Sequence, residues 1–357
     1  MIIGSTKEQS PEKRISITPE TAKSFKNLGL SVCLEKGYGE SLGYSDKEFK
    51  DYGVDVLSSP KEVFLKSNLL CKVHIPSNTE IELIKSKSNL IVSNFNKEDK
   101  ISKKDINIFA LNFLPRITRA QSMDVLSSQA NLAGYRAVIE SIYEYEKAVP
   151  MMMTAAGTVP AAKILIIGAG VAGLQAIATA KRLGAIVSAT DVRLTAKEQV
   201  ESLGGKFLSV EGSENLETKG GYAKEASEDF KKKQTEMLEN AVSKNDIIIC
   251  TALIPGKPAP RIINEKMIKN MKPGSVIFDL AAQNGGNSAY SELDKITLKN
   301  GVKIIGLSNI LNKLPLTASN LYAKNIFSFV RNLYSREKKT FVLNMEDEII
   351  KNTLIKE

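Results

Sequence analysis

The chain of 357 residues has no tryptophan, three cysteines and a single histidine. Cys33, Cys71 and Cys250 are far apart, odd in number and never in a C-x-x-C pair, which excludes a disulfide frame and a cysteine metal site. They read as reduced core thiols of a cytosolic protein, and no metal centre is expected. With one imidazole, His74, a histidine general base can come from one place only. No apolar run is long enough to span a bilayer; the longest, Ile164 to Leu174, is far too short. The N-terminal MIIGSTKEQ lacks signal-peptide architecture. Net charge is +9, but the lysines are dispersed, and no helix-turn-helix or aromatic-interleaved basic motif occurs. Nucleic acid is therefore not an expected partner. A lysine-rich proteome is the plainer explanation of the charge; a basic surface would also suit a membrane face or an anionic partner. Internal repeats and low-complexity segments are also missing.

What remains is an ordinary globular composition, 43% hydrophobic and 25% charged, at a length that predicts about two domains. One stretch organises it: KILIIGAGVAGLQAIATAKRLGAIVSATDVR, Lys163 to Arg193. Ile164 to Ile167 is wholly apolar and mostly β-branched, the mark of a strand buried on both faces of a parallel sheet. Gly168, Gly170 and Gly173 follow at G-x-G-x-x-G spacing. From Val171 and Ala172 to Leu183 the pattern is helical, and Gly184 ends it. Ala185 to Ala189 is a second strand, leading to Asp191, which lies 191 − 173 = 18 residues past the last glycine.

Each part has a physical task. Gly168 permits the turn, Gly170 lets a pyrophosphate reach the backbone, and Gly173 allows close helix–sheet packing. The helix N-terminus offers N–H groups and partial positive charge to phosphates. A carboxylate at Asp191 can accept from a ribose diol and repels a 2′-phosphate, which favours NAD(H). Arg193 pulls the other way, since an arginine there can serve a 2′-phosphate. A plain Gly-rich turn, or a site for another adenine ligand such as FAD, are the competing readings of the motif.

Strand and helix alternate before this stretch. Thr18-Pro19 starts a helix that Gly29 stops; Ser31–Glu35, Leu69–Val73, Leu90–Val92 and Ile106–Leu111 are strands. Met123, Leu126, Ala130, Ala133 and Ala137 are spaced as a buried helical stripe on a long bridging helix. After it, Lys206–Val210, Ile247–Leu253 and Ser275–Ala281 are strands, and Val302–Leu307 is the last strand of that sheet. Glu211–Lys224, with Gly220-Gly221-Tyr222, is a candidate lid, and a charged helix follows it. Tyr322–Arg331 is a helix returning to the first domain, and Thr340–Leu343 with Glu348–Leu354 suggest a terminal hairpin or strand pair. The expected fold is α/β: two Rossmann-like domains with parallel sheets, the NAD domain (128–313) inserted in the first (1–127 and 314–357), joined by long helices.

Most nicotinamide dehydrogenases couple hydride transfer to proton transfer and need a base. Here the only imidazole, His74, sits just past a strand and reads more readily as a surface histidine. Hydride exchange between two nicotinamides needs no acid or base, only fixed geometry and exclusion of water. The loop Leu114 to Ser127 carries suitable groups: Arg116 and Asp124 of opposite charge, Gln121 with both a donor and an acceptor for a carboxamide, and the Ser127 hydroxyl. The plain alternative is that Asp124 caps the helix and the arginines are solvated.

The segments PRITRAQSMDVLSSQANLAGYRAV (Pro115 to Val138), PMMMTAAGTVPAAKILIIGAGVAGLQAIATAKRLGA (Pro150 to Ala185), TDVR, KEQVESLGGKF, GGYAKE and TALIPGKPAP resemble the NAD(H)-binding alpha subunit of proton-translocating NAD(P) transhydrogenase. The resemblance covers nearly the whole chain. It implies NAD(H) on this chain, NADP(H) on a partner beta subunit, direct hydride exchange between them, and coupling to proton movement by a membrane-spanning component. It further implies a homodimer, cytoplasmic and peripheral on the inner face of the cell membrane. By the same resemblance Arg116, Gln121, Asp124, Ser127 and the mobile-loop Tyr222 are catalytic. The nucleotide contacts would be Arg116, Ile117, Thr118, Arg119, Gln121, Gly168, Gly170, Val171, Ala172, Gly173, Asp191, Val192, Arg193, Gly221, Gln234, Ala252 and Leu253. Alanine dehydrogenase shares the pattern. Arg14 and Lys72 stand where its arginine and lysine would be, but Ser93-Asn94-Phe95 occupies its histidine position, which argues against amino-acid oxidation.

Overall fold

The computed structural model describes residues 1–92, 95, 105–210, 228–254 and 257–355. The chain forms two compact units, one of residues 1–129 with 311–357 and one of residues 130–310.

In the first unit, strands β1 (Ile2–Ser5), β2 (Ser31–Glu35), β3 (Asp55–Leu57), β4 (Leu69–Cys71), β5 (Asn89–Val92) and β6 (Asn107–Ala110) form a parallel sheet. The order is β6-β5-β4-β1-β2-β3, with β18 (Leu354–Ile355) added antiparallel to β6. Helices α1 (Pro19–Asn27), α2 (Asp46–Asp51), α3 (Pro60–Lys66) and α4 (Asn78–Leu83) make the connections. Their starts follow from side-chain caps. Thr18 and Thr21 bond reciprocally ahead of Pro19, and Ser45, Ser59 and Ser77 each accept an amide of the first turn of their helix. Helix α10 (Pro315–Leu333) buries Tyr322, Ile326, Phe329 and Val330 in one core with Phe25, Leu69 and Phe109. Phe329 meets Phe109 edge-on at 5.4 Å between ring centres.

The second unit repeats the plan. Strands β9 (Lys163–Ile167), β10 (Ile186–Thr190), β11 (Lys206–Phe207), β12 (Ile247–Cys250), β13 (Val276–Asp279) and β15 (Val302–Ile305) run parallel in the order β11-β10-β9-β12-β13-β15. An antiparallel edge strand, β14 (Ile296–Lys299), lies beyond β15. All four residues of β12 and of β13 are buried, as the apolar runs require. Helices α6 (Val171–Arg182), α7 (Ala196–Ser202), α8 (Glu228–Lys244) and α9 (Glu265–Lys269) complete the layers. In this order the strand sequence reverses between β9 and β12, where open α/β sheets bind ligands.

Val302–Ile305 is the last strand of this sheet along the chain, and Met151–Pro160 leads into β9 as a hairpin, β7 (Met152–Thr154) against β8 (Gly157–Val159). Two expectations need correction. Glu348–Thr353 is a helix, α11, not a strand. Asp347 caps it by accepting the Ile349 amide, while Ile349 and Ile350 face the core. The hairpin there pairs β16 (Tyr334–Ser335) with β17 (Thr340–Phe341) instead. The stripe on α5 (Val125–Tyr145) is also displaced. Leu126 is 46% exposed, whereas Val125, Gln129, Leu132, Ala137, Ser141 and Tyr145 are buried. The division between the units falls within α5, after Gln129.

Candidate functional site

The glycine loop between β9 and α6 has the geometry the spacing predicts. Gly168 has φ +94°, open to glycine and strained for other residues. A Cβ on Gly173 would lie 1.9 Å from the Gly168 carbonyl oxygen, so only glycine lets α6 pack this closely. A Cβ on Gly170 would meet nothing within 4 Å. Gly170 also caps α6, and no side chain of its own covers the helix N-terminus. Val171, at the first turn, is 42% exposed. An anion can thus approach the Gly170 backbone and the helix end together.

Asp191 follows β10 directly, and its side chain is 7% exposed. Its Oδ2 accepts from the Ala169 amide at 2.7 Å, tying the carboxylate to the glycine loop. Arg193 supplies the rest: its amide and Nε donate to Oδ1, and its Nη2 to Oδ2, all at 2.9 Å. Burial pushes the Asp191 carboxyl up, but these bonds more than offset it and hold it below its ordinary 3.8. Asp191 and Val192 line one pocket with Gln234, Thr190, Leu194 and Met237. The structure therefore brings the predicted ribose acid, its neighbour and the predicted glutamine of α8 together.

Ala252 and Leu253 continue from β12 on the other side of the glycine loop. The Thr251 hydroxyl donates to the Gly168 carbonyl at 2.9 Å, and Leu253 is 46% exposed. The Ala252 peptide is held by a fully buried residue of the glycine-rich run Gln283–Asn287, which follows β13. Asn287 accepts the Ala252 amide at 3.1 Å and donates to the carbonyls of Ala252 and Pro260, both at 2.9 Å. Asp279, also fully buried, in turn accepts the amides of Ala281 and Ser288. Burial pushes the Asp279 carboxyl up despite these donors. The only sequence signal was the Gly-rich run around Asn287 after a buried strand.

In the first unit, Thr118–Met123 is a 3-10 turn anchored by buried Ala120 and Met123. Asn325 of α10 holds it, donating to the Ser122 carbonyl at 2.9 Å and accepting from the Ser128 hydroxyl at 2.7 Å. Arg116, Thr118, Arg119 and Gln121 are exposed on this segment, and Ile117 is partly buried. Asp124 accepts the Ser127 amide at 2.9 Å and the Ser127 hydroxyl at 2.5 Å, so it caps α5, the plainer of its two expected roles. Arg119 pairs with Asp347, the cap of α11. Gly221 and Tyr222, the candidate lid, and Ser93-Asn94 lie outside the described residues.

The other switch point, between β1 and β4, is filled by charges that satisfy one another. Lys72 is buried, donates to the Thr6 hydroxyl at 3.0 Å and the Lys7 carbonyl at 2.6 Å, and lies 3.5 Å from Glu8. Arg14 forms a fork with Glu12 at 2.9 and 2.7 Å and reaches Gln129 at 3.0 Å. His74, largely exposed, meets the same Glu12 at 2.9 Å. Burial raises the Glu12 carboxyl, but His74 and Arg14 together hold it well below the usual carboxylate range. Among the described residues no helix is long and apolar enough to cross a membrane, and no cluster of metal-ligating side chains occurs.

Residues 4–133 match the family described as alanine dehydrogenase/PNT, N-terminal domain, and residues 137–357 its C-terminal domain. An NAD(P) transhydrogenase alpha-subunit chain of Rhodospirillum rubrum is 48% identical over 368 residues, covering 99% of this chain and 96% of that one. The crystal structure of transhydrogenase from Sinorhizobium meliloti superposes with a TM-score of 0.90 at 46% identity, over 99% of this chain and 98% of that one. An L-alanine dehydrogenase structure has a TM-score of 0.78 at 20% identity, covering 99% and 94%, a likeness of fold alone.

Proposed function

This chain belongs to the alanine dehydrogenase/PNT family, with NAD(P) transhydrogenase alpha subunits among its relatives, and we propose that it is the NAD(H)-binding component of a proton-translocating transhydrogenase. The observation that carries the reading is the cradle in the second unit. Open backbone at Gly170, a helix end without a side-chain cap and the Asp191 carboxylate stand in the register of a dinucleotide fingerprint. These residues fit NAD(H): the loop and helix end bind the pyrophosphate, Asp191 the ribose, and Val192 and Gln234 the adenosine side. The nicotinamide supplies the hydride. Its acceptor would be NADP+ held by a partner beta subunit, giving NAD+ here and NADPH there, and a membrane-spanning partner would couple the exchange to proton movement. The chain works as a homodimer, held at the inner face of the cell membrane through its partners.

The tasks left to this chain are binding, orientation and exclusion of water. Gln121, exposed and bearing both donor and acceptor, orients the carboxamide, and Arg116 and the bonded pair Asp124–Ser127 shape the same seat. Tyr222 covers it. No proton need move at the reacting carbons, which suits a chain whose one histidine is engaged by Glu12. The competing reading, an alanine-dehydrogenase-like oxidoreductase, draws on Arg14 and Lys72. Both are spent on Glu12 and Glu8. The test is to mix the chain with an NADP(H)-binding partner domain and an NADH analogue. The proposal expects oxidation of the analogue without added substrate; alanine-dependent NADH formation would establish the other reading instead.

A further inference from the structure

An ionised carboxylate offers about four acceptor positions, two on each oxygen. At Asp191 all four are taken: Oδ1 by the Arg193 amide and Nε, Oδ2 by the Ala169 amide and Arg193 Nη2. The two backbone bonds belong to the frame of the site, since they tie the end of β10 to the glycine loop. The two guanidinium bonds are different. They put one side-chain donor on each oxygen, side by side, in the fork arrangement arginine favours. That is also the arrangement a vicinal diol needs, one hydroxyl to each oxygen. Asp191 is nearly closed to solvent, so water cannot make up a donor that is lost.

We infer that the Arg193 guanidinium occupies the diol-binding edge of Asp191 and is an internal competitor for the ribose, so that nucleotide binding exchanges two N–H donors for two O–H donors. Arg193 is then a specificity-determining residue. A ligand bringing a single hydroxyl leaves one buried acceptor position unfilled, and only an intact cis-diol replaces the fork in full. Arg193 itself is about one-fifth exposed, so its side chain has a path outward when displaced. The inference rests on the assignment of Asp191 to a ribose, and the experiment separates the two.

Adenosine is the probe, because it carries the diol and no charge, so loss of a cation is not read as loss of a phosphate contact, and the Asp191→Asn background isolates the part that runs through Asp191. Calorimetry on the full chain should show Arg193→Met binding adenosine roughly three- to tenfold tighter than the parent, the scale of one half-buried charge-assisted pair. Arg193→Lys keeps the charge without the fork and should tighten adenosine as well, which preserves the test if the methionine variant folds poorly. In an Asp191→Asn background the Arg193→Met gain should disappear. Unchanged or weaker adenosine binding in both arginine variants would overturn the inference, as would weaker ADP-ribose binding without any gain for adenosine, which would make Arg193 a phosphate contact. If Asp191→Asn alone leaves adenosine binding unchanged, the ribose assignment falls and the inference with it. If Asp191→Asn weakens binding but neither arginine variant strengthens it, the competition alone is wrong.

Discussion

Gly170→Ala separates the dinucleotide cradle from the fold that carries it. Gly170 has φ −77° and ψ −167°, extended backbone that any residue adopts, and the added methyl would meet nothing within 4 Å. Exchanging glycine for alanine at a helix N-cap costs roughly 0.5–1 kcal/mol, or about 1–4 °C of melting temperature in a unit of this size. Gly173→Ala is the matched contrast. Its Cβ would lie 1.9 Å from the Gly168 oxygen and 3.2 Å from the Thr251 hydroxyl oxygen, and backbone must give way. Overpacking of that kind costs about 1–3 kcal/mol, roughly 2–12 °C. The order reverses for binding. A methyl on Gly170 fills the approach to the backbone and forfeits one or two charge-assisted hydrogen bonds to phosphate, each about 1.5–3 kcal/mol. NADH should then bind at least roughly tenfold more weakly. Thermal unfolding and NADH fluorescence titration on the two variants measure both quantities. A Gly170→Ala protein that binds NADH like the parent would refute the assignment of the loop, and so would a loss of binding matched by an equal loss of stability.

Gln121→Asn shortens an exposed side chain without disturbing Ala120 or Met123 beneath it; stopped-flow transfer should slow strongly while NADH affinity changes little, and the reverse pattern would remove Gln121 from the orienting role. Asn287→Ala strips three hydrogen bonds from the Ala252 and Pro260 backbone. Leaving buried groups unpaired costs roughly 1–3 kcal/mol, read as a lower denaturation midpoint. Glu12 has a folded-state pKa held below its ordinary 4.5, so its ionised form stabilises the fold. That stabilisation is fully present above pH 4.5 and is lost as the pH falls toward the folded-state value. An acid-unfolding series should therefore converge for the parent and Glu12→Gln at low pH and diverge near neutrality; parallel curves would contradict the pairing with Arg14 and His74.

The parts of the site that are local in the chain were legible. Strand, glycines, helix and acid between Lys163 and Arg193 lie within about thirty residues, and each is dictated by backbone sterics or helix-end chemistry. The links between segments were not. Nothing in the spacing says that Asp191 would accept the Ala169 amide, that Asn287 would hold the Ala252 peptide 35 residues away, or that Arg119 would reach Asp347. Local misreadings have local causes. Ile349 and Ile350 are β-branched and read as strand, but the Asp347 cap decides for a helix. The stripe on α5 was set from Met123, whereas the Asp124 cap starts the helix at Val125 and turns Leu126 outward.

The path of the hydride itself tests the central claim most directly. NADH carrying deuterium at the transferable position of the nicotinamide is mixed with this chain and an NADP(+)-loaded partner domain, and the products are weighed by mass spectrometry. Direct exchange predicts the label in NADPH and none in water, with no third substrate added. Label released to solvent, or transfer that proceeds only when an amino acid is supplied, would contradict it.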